Sequence, residues 1–265
     1  MDEAGGYMEY EFIADFYDRV NEFRDEKDIP FFVEMARQCG GPVLEIGCGS
    51  GRVLVPTSKS GIDIVGLDLS DAMLAKCREK LSSEPQDVQS RVDLLKADMR
   101  NFDLGRTFKL ITTPFRPFQH LTTVEDQVKC LNTIRRHLDD DGRFILDIFN
   151  PSILYLADET RKEEWGDMPE FEMPDGRKVL VRNRVPERDF ANQVIDCEMI
   201  YYVMHPDGKK ERLVHSFHMR YIFRFEAEHL LANCGFEIEN LYGDFDKSPY
   251  GTNYPGELIF VTRKN

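Results

Sequence analysis

The stretch Val43-Leu44-Glu45-Ile46-Gly47-Cys48-Gly49-Ser50-Gly51-Arg52 places a short apolar strand against a turn with three glycines, just ahead of a helix. Such a bend needs glycine, because the backbone turns sharply, takes positive φ and lets a ligand approach with no Cβ in the way. Seventeen residues after Gly51, Ile64-Val65-Gly66-Leu67-Asp68 supplies a second buried strand ending in a carboxylate. That is where the two hydroxyls of a ribose are accepted as a bidentate pair. A pyrophosphate-binding fingerprint, G-x-G-x-x-G, would require glycine at position 52, where Arg52 stands. Asp68 would serve a nicotinamide-dependent oxidoreductase equally well, so Arg52 is the main objection to that alternative.

From Gly41 to Asn150 short β-branched runs alternate with helical stretches, the pattern of a parallel sheet built from βαβ units. The expected strands are residues 43–46, 62–68, 92–97, 109–112 and 144–149. Ser70 is the expected N-cap of a helix carrying Met73, Leu74 and Cys77, and Thr122 with Glu125 forms a capping box for a helix through Leu138. Asp139-Asp140-Asp141-Gly142 then reads as a solvated turn that stops this helix, not as a metal cluster. Helical spacing also covers residues 9–20 and 29–38, broken by charge over 25–28 and by Pro30.

After Asn150 the texture changes. Residues 178–185, 193–203 and 213–225 are rich in Val, Ile, Tyr and Phe, with the turn signal Pro206-Asp207-Gly208 between the last two, which reads as an antiparallel β insertion. A helix near 226–234 and strands near 237–241 and 258–262 return the chain to the α/β pattern. The expected organisation is an N-terminal helical cap over 1–40, a core from 41–150 and 225–265, and an insertion over 151–224 serving as lid, substrate surface or homodimer surface.

With 265 residues and a formal charge of -14, the chain lacks the positive footprint that dominates affinity for nucleic acid. The start Met1-Asp2-Glu3-Ala4 carries no basic or apolar leader pattern, and no run of about eighteen apolar residues occurs. Cys39, Cys48, Cys77, Cys130, Cys197 and Cys234 are scattered, without a C-x-x-C pair or dense spacing. A cytoplasmic protein with reduced thiols, no metal, no membrane segment and no nucleic-acid partner is expected.

The spacing Glu45-x-Gly47-x-Gly49-x-Gly51 resembles the nucleotide-loop motif of class I S-adenosylmethionine-dependent methyltransferases. The resemblance runs from about residue 10 to the C-terminus and is strongest over 43–150. It implies a Rossmann-like α/β fold: a doubly wound, mostly parallel seven-stranded sheet with helices on both faces and the β insertion after the fifth strand. It also implies S-adenosyl-L-methionine as methyl donor, with S-adenosyl-L-homocysteine as product. In that family the glycine loop lies against the methionine part of the cofactor, so Glu45, Gly47, Cys48, Gly49 and Gly51 would shape that end, and Asp68 would hold the ribose. Leu69 and Met73 would flank the adenosine, although core packing also explains Met73. In Lys96-Ala97-Asp98-Met99-Arg100, Asp98 would take the adenine amino group and Met99 would lie against the ring; the plainer reading of Asp98 is a turn cap after a strand. Thr113 completes the expected cofactor-binding set.

Methyl transfer from a sulfonium is an in-line displacement that needs alignment, exclusion of water and, for some acceptors, removal of a proton. The expected fourth strand runs into Thr113-Pro114-Phe115-Arg116-Pro117-Phe118-Gln119-His120, and ligands of open α/β sheets bind beyond such strand ends. His120 is the one histidine there and the candidate general base, against a packing role. Enzymes that methylate exocyclic base nitrogens often carry N-P-P-Y or D-P-P-Y in this loop, and Thr113-Pro114-Phe115-Arg116 departs from both. Phe12-Ile13-Ala14-Asp15-Phe16-Tyr17-Asp18 resembles the segment with which many small-molecule members close their site, so Tyr17 is a second candidate. An amphipathic helix that uses its aromatic side chains for packing explains it equally.

The insertion and the C-terminal pattern are similar to sugar N-methyltransferases. His215 and His218 are three apart on a strand and point to opposite faces, so they do not share a metal. Arg116, Asn150 and Trp165 are further candidates for substrate contact. The leading expectation is an N- or O-methyltransferase acting on a small molecule. A nicotinamide oxidoreductase and a non-enzymatic S-adenosylmethionine-binding module are the alternatives.

Overall fold

The apolar runs on either side of the glycine turn become the middle of a sheet. Strands β1 (Val43–Ile46), β2 (Ile64–Asp68) and β3 (Val92–Lys96) lie parallel on one side, and β4 (Phe108–Thr113) and β5 (Leu138–Phe149) continue in parallel on the other. The computed structural model describes residues 12–22 and 27–265. Parts of the helix expected over 9–20 and of the break over 25–28 therefore lie outside the described residues. The helices of the first half are α1 (Phe12–Asn21), α2 (Asp28–Cys39), α3 (Leu54–Lys59), α4 (Asp71–Ser82), α5 (Gln86–Gln89) and α6 (Val124–His137). The second half adds α7 (Ile153–Leu156), β6 (Phe171–Glu172), β7 (Lys178–Arg184), β8 (Arg188–Asp189), β9 (Val194–Met204) and β10 (Lys210–Arg220). It ends with α8 (Arg224–Asn233), β11 (Phe236–Tyr242) and β12 (Glu257–Lys264).

The main sheet is seven-stranded, in the order β11-β12-β5-β4-β1-β2-β3, with β12 antiparallel to both neighbours. This is the mostly parallel, doubly wound sheet expected from the sequence. One face buries Leu131 and Ile134 of α6 with Leu231 of α8; the other buries Phe31 and Phe32 of α2, Leu54 of α3 and Leu74 of α4. Strand order reverses between β1 and β4, so the loops that follow these strands open a crevice at their carboxyl ends. The antiparallel sheet β10-β9-β7-β6, with β8 beside β9, forms the insertion. Its turn at Pro206-Asp207-Gly208 is closed by His205 N–H donating to the Lys209 carbonyl at 2.8 Å. Helix α1 packs on this second sheet, with Phe16 and Val20 buried among Val179, Val181 and Tyr201.

Three boundaries differ from expectation. The cap of α6 is Thr123, whose hydroxyl accepts from Asp126 N–H at 3.2 Å, and not Thr122. Two adjacent threonines each have an acid three residues on, and spacing alone does not choose between them. The triplet Asp139-Asp140-Asp141 lies inside β5, where pairing with β4 jumps from Phe108↔Leu138 to Leu110↔Arg143. Lys109 holds Asp139 at 3.0 Å and Asp141 at 2.5 Å, and Lys264 holds Asp140 at 3.1 Å, so neighbouring lysines compensate this irregular stretch. The last insertion strand ends at Arg220 and not at 225: Phe225 belongs to α8, where Glu226 reaches back to Phe223 N–H at 3.4 Å.

Gly66 sits where β2 passes under the glycine turn. A Cβ there would lie 2.4 Å from Leu54 Cδ1 and 2.8 Å from Cys48 Sγ. Gly66→Ala is expected to destabilise the protein by about 1–3 kcal/mol through overpacking, read as a lowered urea midpoint. An unchanged midpoint would contradict this packing.

Candidate active site

The glycine turn after β1 bends back over β2, with Gly47 and Cys48 N–H both donating to the Leu67 carbonyl at 2.8 and 3.0 Å. Gly47 and Gly49 have φ of 71° and 54°, in the left-handed region that side chains disfavour. A Cβ on Gly47 would stand 2.6 Å from Pro117, and one on Gly49 3.1 Å from Met73 Cε. The bend is therefore a cradle that side chains would fill. Asp68 closes it: one carboxylate oxygen accepts Gly49 N–H at 2.8 Å and the other accepts Ser70 N–H at 2.8 Å. The carboxylate keeps acceptor capacity for a further donor such as a ribose hydroxyl. Burial raises the Asp68 pKa, and the Ser70, Gly49 and Leu69 backbone bonds oppose it.

The sequence-selected residues do not all meet. Tyr17, Gly47, Gly49, Asp68, Leu69, Met73, Met99 and His120 line one cleft, together with Ala97, Pro114 and Phe115. Gly51 packs on α4, since a Cβ there would lie 2.6 Å from Cys77 Sγ. Cys48 is buried beside it, its thiol pKa pushed up by burial. Thr113 is buried and donates to the Ile145 carbonyl at 3.3 Å. Glu45 lies buried beneath the turn with one carboxylate oxygen lacking a hydrogen bond, and burial pushes its pKa up to about 8 despite nearby Arg52. Arg52 itself forms a two-pronged pair with Asp28, one bond at 2.9 Å, and stacks 5.1 Å from the Phe115 ring centroid.

The Asp98 carboxylate turns into a neighbouring polar groove and grips Arg100, whose terminal nitrogen lies 2.7 Å away and whose backbone N–H donates at 2.8 Å. Burial acts to raise its pKa, but the Arg100 bonds outweigh it and hold the carboxyl below the usual range. Its neighbours Ala97 and Met99 face the cleft while Asp98 does not line it.

A second cavity lies between the β4 loop and the insertion sheet, lined by residues including Tyr155, Trp165, Asn183, Glu198 and Phe217. Phe115 and His120 line both spaces. Phe115 and Arg116 have φ of 63° and 69°, two successive non-glycine residues in the left-handed region. Such strain persists only where surrounding bonds fix it. Asp147 accepts Phe115 N–H at 3.0 Å, and Arg116 clamps Glu257 at 2.6 and 2.8 Å. Buried Gln119 then stitches the turn down, donating to the Arg220 carbonyl at 2.9 Å and accepting Phe149 N–H at 2.5 Å.

His120 Nδ1 sits 3.2 Å from the His218 carbonyl, which requires Nδ1–H and leaves Nε2 as an acceptor. Burial lowers its pKa to about 4, against the raising effect of that carbonyl, so the ring is neutral at pH 7. Of the remaining candidates, Trp165 lines the cavity beneath the Arg161 guanidinium at 4.2 Å, whereas Asn150 bonds the Pro255 carbonyl. On β10, His215 is buried and His218 is exposed, paired with Asp196 at 2.6 Å. Among the described residues no His, Cys, Asp or Glu group could hold a metal, and no helix is long and apolar enough to cross a membrane.

Residues 43–142 match the methyltransferase domain family. A dTDP-3-amino-3,4,6-trideoxy-alpha-D-glucopyranose N,N-dimethyltransferase from Streptomyces venezuelae is 27% identical over 87% of this chain and 92% of its own length. The chain is an S-adenosylmethionine-dependent methyltransferase. Its cofactor is S-adenosylmethionine, which sets aside the nicotinamide and non-enzymatic readings. Among solved structures, the CcbJ methyltransferase from Streptomyces caelestis shares the fold with a TM-score of 0.75 at 22% identity, covering 100% of this chain and 99% of that one. An amino pentose methyltransferase from Micromonospora echinaspora, solved with S-adenosylmethionine bound, gives a TM-score of 0.70 at 22% identity over 94% and 95% of the two chains. The side-chain-free cradle and the fixed Asp68 carboxylate fit an adenosyl amino acid in this methyltransferase.

Asp68→Ala removes the acceptor for two backbone donors and for any bound diol. It is expected to weaken S-adenosylhomocysteine binding at least about tenfold by calorimetry, at about 1.5–3 kcal/mol per charge-assisted bond. Unchanged affinity would remove Asp68 from the site.

Proposed function

We propose that this methyltransferase transfers its methyl group to an amino nitrogen of a small polar molecule seated between the β4 loop and the insertion sheet. The observation that carries the reading is the meeting of two cavities at Phe115 and His120. In this reading Gly47 and Gly49 cradle the methionine end of the cofactor, Asp68 holds the ribose, and Leu69, Met73 and Met99 flank the adenosine. Glu45 supports the turn from below. Tyr17 and Phe115 cover the reacting centre against water. The insertion sheet serves as substrate wall and lid.

Bound S-adenosylmethionine supplies an electrophilic methyl group. The protein's task is to present the acceptor lone pair in line with it. A neutral His120 accepts an N–H hydrogen bond at Nε2 and so orients an amine. With a pKa of about 4 it is too weak a base to take the proton of a hydroxyl at pH 7. An amine, once neutral, needs no such base before attack, which favours nitrogen over oxygen. Glu198, held by Arg184 at 2.8 Å, puts a carboxylate on the same wall, suited to an amino group. The aminosugar dimethyltransferase of Streptomyces venezuelae and the amino pentose methyltransferase of Micromonospora echinaspora support an amino sugar as substrate class.

The test is incubation with methyl-labelled cofactor and paired acceptors, amino sugars against the corresponding hydroxyl sugars. Label is expected on the amino sugars alone; label only on oxygen would overturn the reading. In the same assay His120→Ala is expected to lower kcat by on the order of tenfold to a hundredfold through lost alignment. An undiminished rate across pH would exclude any role for His120 in transfer.

A further inference from the structure

The loop after β4 holds two left-handed residues in succession, and one buried carboxylate takes the first of their N–H groups. We propose that Asp147 is a positioning residue for methyl transfer, holding the Phe115–Arg116 pair so that Phe115 stands where the cofactor cleft meets the acceptor cavity. The inference rests on the cofactor assignment and is independent of which acceptor is used.

Asp147 lies on β5, is 2% exposed, and lines neither cavity. One of its oxygens accepts Phe115 N–H at 3.0 Å, and the other, Oδ1, is buried without a hydrogen bond. A buried carboxylate with one orphaned oxygen is costly to stability. Its one hydrogen bond falls on a residue at φ 63° that lines both cavities. The next residue, Arg116 at φ 69°, is fixed from another strand by Glu257, so the strained pair is pinned at both residues.

The charged groups facing Asp147 are Arg116 from the loop, Glu257 from β12 and Asp28 from α2. Burial pushes the Asp147 pKa up to about 7; Arg116 and the Phe115 bond oppose that, and Glu257 and Asp28 add to it. The carboxyl therefore changes state near neutrality. Above pH 7 it is ionised and its bond to Phe115 is charge-assisted; below, the bond is an ordinary neutral one, roughly half as strong.

Two pH effects of opposite sign follow. The folded pKa is raised above the unfolded value, so the carboxyl's contribution to stability is full at acid pH and is lost as pH rises towards about 7. The grip on Phe115 instead tightens as pH rises through the same range. Cofactor binding that needs Phe115 in place then releases a proton.

Asp147→Asn preserves shape and a neutral acceptor while abolishing titration, and melting of the unliganded variant checks that it folds. S-adenosylhomocysteine binding is measured by calorimetry from about pH 5.5 to about 8.5 in buffers of different ionisation enthalpy. Glu45, with a pKa of about 8, titrates in both proteins and cancels in the comparison. The wild type is expected to gain about three- to tenfold in affinity through pH 7 relative to the variant, with proton release that the variant lacks. Asp147→Ala, lacking an acceptor, is expected to bind more weakly than Asp147→Asn at every pH. Superimposable profiles and equal proton release in wild type and Asp147→Asn would overturn the proposal. Should the variant not fold, absence of wild-type proton release near pH 7 would overturn it. A wild type that binds nothing at any pH would refute the cofactor assignment, and this inference with it.

Discussion

One carboxylate joins the two segments that form the cleft at the glycine turn. Asp68 ends β2, yet its oxygens are bonded to the glycine turn after β1 and to the first residues leading into α4. Its bonds to backbone donors, each worth about 1.5–3 kcal/mol when the acceptor is ionised, offset part of the cost of burying the charge. They also fix the acceptor geometry before any ligand arrives. The turn can bend so tightly because Gly47 and Gly49 have no side chains to strike Pro117 and Met73. Sheet order then decides what this preformed corner faces: the reversal between β1 and β4 brings the β4 loop across from it.

The β4 loop solves a different problem. It must carry Phe115 and His120 to the junction of two cavities, and its path requires left-handed backbone at residues that resist it. The bonds that offset this strain come from far along the chain: Asp147 on β5, Glu257 on β12, and Gln119 within the turn reaching Arg220 on the insertion. Each partner is buried or half-buried, so the bonds are shielded from the competition of bulk water. The glycine-turn corner is therefore built from local sequence, and the β4-loop side from long-range pairs.

That division explains what the sequence made legible. Strand and helix periods marked the sheet, the insertion and the glycine turn, because alternation and glycine spacing are local properties. The place of Asp68 against the turn was legible because it ends a strand at a fixed distance from that turn. Asp98 sits in a local motif, and its carboxylate caps the turn after β3 through Arg100 N–H, the plainer of its two readings, while the Arg100 side chain adds bonds of its own. Asp147, Glu257 and Glu198 escaped notice because their partners lie 32, 141 and 14 residues away along the chain. Gln119 gave one weak signal, a neutral polar residue between Phe118 and His120 in an apolar turn. The Thr122–Thr123 ambiguity marks the resolution limit of capping rules, where adjacent residues satisfy the same chemistry.

Helix α1 links the two halves of the site. Its apolar side belongs to the insertion: Phe16 stacks on Tyr201 at 5.3 Å, with the Arg177 guanidinium 5.2 Å from the Phe16 ring. Its polar side belongs to the glycine-turn corner: Asp18 accepts from Ser50 of the glycine turn at 2.6 Å and from Lys80 of α4 at 2.7 Å. Tyr17 stands between these two attachments and lines the cleft beside the glycine turn. The apolar contacts are dry and buried, whereas Asp18 and Lys80 are each about a third exposed, so salt screens the second attachment more than the first. Raised salt is therefore expected to weaken the Asp18 cluster before it affects the packing of Phe16 on the insertion sheet.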